Sequence, residues 1–212
     1  MGEKFRVREN SMKKIGILLI IGAIGLIAFY YVHQIATDRK IEQEVNNYIE
    51  ETTIMNNEND VEEVVEPIEK KEEPKREINY TAILEIPSIN LKRGVVDSTK
   101  NFSSINYAIS VDKNSNYPNE MGNFILYAHS GNSSIAYFKN LNKVELKDSV
   151  YVYYNGVKYK YEIFDKYDIE KTGKAKVIDS KQNKYITLIT CNQNRKNYQI
   201  VIVGKLVEEL NY

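Results

Sequence analysis

The sequence predicts a mainly β fold, a closed barrel of about eight strands with short helices, preceded by one transmembrane helix. Three observations carry this reading. From about Asn79 onward the chain breaks into short runs rich in β-branched and aromatic residues, separated by turn formers, a spacing that belongs to barrels and sandwiches. One such pair, SVYVYYNGVKYKYEIF, alternates on both sides of Asn155-Gly156, a type I′ hairpin signal. Ahead of them, residues 15–32, IGILLIIGAIGLIAFYYV, form one uncharged apolar run. A domain spanning 79–212 with so few helices must hide its strand edges, which favours closure over an open sandwich.

The N-terminal third divides by charge. The 29 basic and 29 acidic residues balance overall but are segregated. Residues 1–14 hold five Lys/Arg against two acids and read as a basic cytoplasmic terminus. The run at 15–32 is just long enough to cross a bilayer core as a helix. By the positive-inside rule the N-terminus is cytoplasmic and the rest extracytoplasmic, a single-pass protein of the cell membrane. Tyr30 and Tyr31 fall where an interfacial aromatic belt would sit. A cleaved secretory signal is the competing reading, but its apolar core is usually shorter, and His33-Gln34-Ile35 offers no small-residue cleavage site. Residues 33–78 read as an acidic extracytoplasmic stalk, with fourteen Asp/Glu against six Lys/Arg over 36–78. Within it IEQEVNNYIEE predicts a short amphipathic helix on Ile41, Val45 and Ile49. The following stretch is too charged to bury a core, and Pro67 and Pro74 interrupt any helix.

The domain at 79–212 opens with TAILEIPSI and LKRGVV, strand-like runs in which Pro87 is tolerated at an edge or bulge. GNFILYAH (122–129) has a buried-strand pattern, and KYITLITC (184–191) and YQIVIVGKLVE (198–208) follow the hairpin. Helix is expected only in short pieces around 98–106 and 133–141. The excess of 18 basic over 13 acidic residues in this domain is scattered, which argues against nucleic acid as a partner.

The chain has one cysteine and two histidines. A lone Cys outside the cell is a buried filler, an intermolecular linker or a nucleophile. Cys191 closes a β-run and opens the polar loop NQNRKN, where a thiol is held rigidly yet reached by substrate. His33 lies at the membrane boundary, so His129 is the only imidazole of the domain. It too stands just past a strand, in YAHSGN, ahead of Gly131. A lone His is more often structural than catalytic, but a Cys–His pair supplies a thiolate and a proton donor for a leaving group. Acyl transfer also needs an oxyanion partner. Arg195, the only Arg after Cys191, is the candidate, with a solvated loop charge as the alternative reading. Thr190, beside the nucleophile, offers a backbone or hydroxyl donor.

These residues resemble the sortases, cysteine transpeptidases of Gram-positive cell surfaces. TLITC (187–191) is similar to their nucleophile motif and YAHSGN to the segment carrying their catalytic His. The order of signal-anchor, spacer, IPSINL-type first strand, His segment, hairpin, TLxTC and a last strand ending in Gly-Lys also fits, over roughly 80–208. One departure stands out. Sortases carry an essential Arg at the start of the last strand, and alignment on Gly204-Lys205 puts Gln199 there, while Arg195 lies only four residues past Cys191.

The resemblance implies a thiol-protease-like hydrolase chemistry. Cys191 attacks an LPxTG-like sorting motif between Thr and Gly, His129 acts as general acid and base, and Arg195 holds the oxyanion or substrate. Thr190 and Gln199 are candidate substrate-binding residues. The partners implied are surface proteins with a C-terminal sorting signal and an amine from a peptidoglycan precursor or a pilin, with the lipid bilayer contacted through 15–32. The short domain, without long helical insertions or a lid motif, looks closest to the class A or D enzymes. A pilin-polymerising sortase is the alternative, and a non-enzymatic wall-binding β-domain a further one. No metal or other cofactor is expected; calcium activation stays open, since the Asp and Glu residues show no recognisable ligand spacing.

Overall fold

The computed structural model describes residues 2–57, 79–98, 104–172 and 177–212. It contains one long helix, α1 (Gly2–Asn57), and eight strands. The strands are β1 (Ala82–Ile86), β2 (Leu91–Asp97), β3 (Ile109–Val111), β4 (Gly122–Tyr127), β5 (Ser149–Tyr154), β6 (Val157–Glu170), β7 (Lys184–Cys191) and β8 (Tyr198–Asn211). Two compact units are distinguished, Met1–Gln43 and Glu44–Tyr212.

In the first unit α1 is long and apolar enough to cross a membrane, with mean hydropathy 1.9 over its most apolar window. Its large side chains, among them Leu18, Leu26 and Phe29, are exposed. An exposed apolar helix of this length fits single-pass membrane anchoring.

The second unit is a closed barrel in the order β1-β2-β3-β4-β7-β8-β6-β5, the mainly β, eight-stranded architecture expected. β5 returns to β1 through the pairs Ile83–Tyr153 and Glu85–Tyr151, so no edge remains. β2–β3 and β4–β7 pair in parallel and the other neighbours antiparallel. Alternation along the strands fills the interior with Leu84, Ile86, Phe124, Leu126, Tyr161, Ile163, Ile186, Leu188 and Ile202. On the outer faces of β4 and β7, Asn123, Ile125 and Thr187 are buried as well. Asn123 donates to the Ile178 carbonyl at 3.0 Å and accepts from the Thr187 hydroxyl at 2.9 Å, which ties the segment entering β7 over that face. The β5–β6 hairpin turns as expected, with Asn155 at φ 48° and Gly156 at φ 72°, the left-handed pair that a type I′ turn requires.

One local expectation changes. The segment 133–141 forms no α-helix; it is a chain of turns ending in a 3-10 turn at Leu141–Lys143. Its buried residues, Ala136, Phe138 and Leu141, are spaced by two and then three, and the first step does not fit a helical face. Its bonds close over three residues, Ala136 N–H to Ser133 O and Lys139 N–H to Ala136 O, and Phe138 N–H is spent on His129 O at 3.0 Å. Around 98–106 a 3-10 turn covers Ser104–Asn106, and 99–103 lie outside the described residues.

The stretch read as an acidic stalk also divides. The expected helix over 41–51 is present as part of α1, and within the second unit its last turns pack on the barrel. Val45 is 1% exposed. The Tyr48 hydroxyl donates to Thr81 O at 2.8 Å, Thr52 and the terminal Tyr212 share a hydroxyl bond at 3.0 Å, and the Tyr80 hydroxyl donates to Glu44 at 3.0 Å. Gly94 permits this docking, since a Cβ there would lie 2.1 Å from the Tyr80 ring. Residues 58–78 of the stalk, with Pro67 and Pro74, lie outside the described residues.

Candidate active site

The parallel pairing of β4 with β7 sets the positions of the histidine and the cysteine. Its last pair is Tyr127–Ile189. The register continues past the strand ends, because Ala128 N–H bonds Ile189 O at 3.4 Å. Two side chains then lock it. The Thr190 hydroxyl, 3% exposed, donates to Ala128 O at 2.8 Å; a hydroxyl so buried needs such a partner. The Ser130 hydroxyl donates to Cys191 O at 2.7 Å. His129 is thereby carried level with Cys191. Alternation puts both side chains on the outer face of the barrel, opposite to the inward Leu126, Leu188 and Thr190. Both are half-buried, and Cys191 is a free thiol.

The turn after Cys191 is short and tightly organised. Asn192 N–H bonds Tyr198 O at 2.8 Å and closes the β7–β8 hairpin around 193–197. The Asn192 side-chain oxygen accepts from the N–H groups of Asn194 (2.8 Å) and Arg195 (3.1 Å), an Asx-type turn. Asn197 takes the left-handed conformation at φ 63°. Gln193 donates to Lys139 O at 2.9 Å, pinning the turn to the segment after His129. A shallow depression beside the sulfur is lined by Phe138, Asn142, Thr190, Gln193 and Ile200.

This architecture separates the two candidates for the third role. Gln199 is the direct cross-strand partner of Cys191 and shares its face. Arg195 is drawn to the other face. Its guanidinium carbon lies 3.3 Å from the centre of the Tyr198 ring, and Tyr198, one residue before Gln199, points the opposite way. A second contact, 4.0 Å to Asp168, holds it there. The structure therefore brings His129, Thr190 and Gln199 around Cys191 and places the Arg195 side chain against Tyr198 and Asp168. The Thr190 hydroxyl is spent on Ala128 O, so it fixes the strand ends.

A residue that sequence reasoning missed also reaches the sulfur. β6 lies on the far side of β8, with Ile169 opposite Gln199 and Glu170 opposite Tyr198. Lys171 follows; its N–H bonds Asn197 O at 2.8 Å, and its ammonium donates to Cys191 Sγ at 3.6 Å. Ile169, Gln199 and Cys191 form one cross-strand row on the outer face, and Lys171, two residues beyond Ile169, lies on the same side. One lysine in a lysine-rich chain carries no sequence signal. Only the β6–β8–β7 register reveals it.

Comparison with known proteins agrees with the fold. A sequence model of the Sortase domain matches residues 84–207, more than half of the chain. The chain belongs to the sortase family, the cysteine transpeptidases, and Cys191 is its single cysteine. Among solved structures it is similar to a sortase D5 transpeptidase of Clostridium perfringens, at 20% identity and TM-score 0.55, covering 61% of this chain and 80% of that one. Sortase A of Corynebacterium diphtheriae matches at 22% identity and TM-score 0.56, covering 61% of each chain. Sortase C1 of Streptococcus agalactiae matches at 23% identity and TM-score 0.55, covering 61% of this chain and 68% of that one. At these identities the likeness speaks for the fold. No curated protein matches the chain.

Proposed function

We propose that this sortase is held in the cell membrane by residues 15–32, with its N-terminus cytoplasmic. There it cleaves an LPxTG-like sorting signal and transfers the released acyl group to a cell-wall amine. The observation that carries the reading is the locked register that sets His129 level with Cys191 on one outer face. The Cys191 thiolate attacks the carbonyl between Thr and Gly, and the electron pair of that carbonyl moves onto its oxygen. Collapse expels the glycine amine, which takes a proton from the His129 imidazolium, and leaves a thioester on Cys191. A second amine, from a peptidoglycan precursor, attacks the thioester, gives its proton to His129 and returns the thiolate. The cycle conserves atoms and needs no cofactor.

The basic segment 1–14 and the acidic stretch after 32 support the orientation. Arg195 stands against Tyr198 and Asp168 on the face away from Cys191, so no step of this cycle is assigned to it. The test is incubation of the purified chain with an LPxTG-like peptide and an amine acceptor. The wild type gives the transpeptidation product, whereas Cys191→Ala and His129→Ala give none. Equal cleavage by wild type and Cys191→Ala would sink the reading.

A further inference from the structure

We propose that Lys171 is a catalytic residue of this site, supplying the positive charge beside the Cys191 sulfur and the oxyanion formed on it. The inference deepens the transpeptidase reading and rests on it. Acyl transfer to a thiolate moves one negative charge from sulfur to the carbonyl oxygen and back, so a cation that touches the sulfur in the resting site is close to both positions. Position 199, at the start of the last strand and directly opposite Cys191, holds a neutral glutamine. Arg195 is stacked on Tyr198 on the other face of β8. The ammonium of Lys171 stands 3.6 Å from Sγ.

The surrounding chain holds Lys171 in that position. Its N–H is tied to Asn197 O, and the preceding strand is paired with β8 through Glu170–Tyr198. The nearby carboxylates have partners of their own. Glu170 accepts from the Tyr198 hydroxyl at 3.1 Å, and Asp168 accepts from the Asn192 amide at 3.0 Å and faces Arg195. The charge that a cysteine transpeptidase needs thus arrives from the end of β6, across β8, instead of from β8 itself. Gln199 contributes a neutral donor in the same row.

The test uses the full chain in detergent and two readouts, one of which needs no substrate. Alkylation of Cys191 by anionic iodoacetate is compared with alkylation by neutral iodoacetamide, and kcat/KM is measured on an LPxTG-like peptide. Lys171→Met should lower the iodoacetate-to-iodoacetamide rate ratio about fivefold, the worth of one unit charge at about 4 Å in water. It should lower kcat/KM about 10²-fold, mostly through kcat. Lys171→Arg, which keeps the charge, should restore most of both, and Arg195→Ala should leave the ratio unchanged. An unchanged ratio in Lys171→Met, or a fall in Arg195→Ala instead, overturns the assignment. If the wild type does not cleave the peptide while the ratio still falls in Lys171→Met, the substrate reading fails and the cation at the sulfur stands.

Discussion

At the scale of single residues, the site depends on two hydroxyls that bond backbone carbonyls. Thr190 spends its hydroxyl on Ala128 O and Ser130 spends its own on Cys191 O. Between them they fix the offset of two strand ends whose side chains must meet. Thr190→Val keeps the shape and deletes one buried bond, leaving the Ala128 carbonyl short of a donor. Thermal unfolding should show a loss of about 1 kcal/mol. Steady-state kinetics should show a fall in kcat of up to about 10²-fold with KM little changed, the signature of a misplaced reacting pair. A fall in stability without any effect on kcat would mean that the offset of His129 and Cys191 tolerates this loosening.

At the scale of elements, legibility followed how local each signal is. The Asn155-Gly156 turn was readable because both residues must take positive φ, and they do. Gly156→Ala keeps the hairpin but forces an alanine to φ 72°, at a cost of roughly 1 kcal/mol. A Tm lowered by roughly 4 °C is expected in a thermal scan. The strands around His129 and Cys191 were readable from their β-branched runs and the polar turns that end them. The segment 133–141 folds as turns and not as the expected helix because Phe138 and Leu141 pack into the barrel core while the Phe138 N–H bonds His129 O. Lys171 was illegible for a related reason: its meaning comes from Ile169 lying opposite Gln199 and Gln199 opposite Cys191. Those pairings span three strands and leave no trace in local sequence. The departure at position 199 was visible in the sequence, but the residue that stands near the sulfur in its place was not.

For the second unit as a whole, tyrosines tie the barrel to the last turns of α1. Tyr48 reaches Thr81, Tyr80 reaches Glu44, and Tyr212 meets Thr52 while its ring stands edge-on to Tyr153, which itself donates to Glu85 within the barrel. Burial raises the phenols of Tyr80, Tyr117, Tyr153 and Tyr161, and carboxylate neighbours raise each of them further. Burial pushes Tyr159 up to about 12. A group whose pKa is raised on folding holds its proton more tightly in the native state. Its stabilisation is therefore complete below the unfolded value near 10 and is lost as pH rises through the folded one. Chemical denaturation should accordingly give a flat stability around neutrality and a falling one between about pH 10 and 12. Stability unchanged to pH 12 would contradict the burial of these hydroxyls.

The central claim, that Cys191 is the nucleophile of an acyl transfer, is tested most directly by intact-mass measurement of the chain after brief exposure to an LPxTG-like peptide without an amine acceptor. The account predicts a mass gain equal to the peptide segment through Thr. The gain should map to Cys191, be released by hydroxylamine, and be absent from Cys191→Ala. An unmodified Cys191, or an adduct that survives in Cys191→Ala, would contradict it.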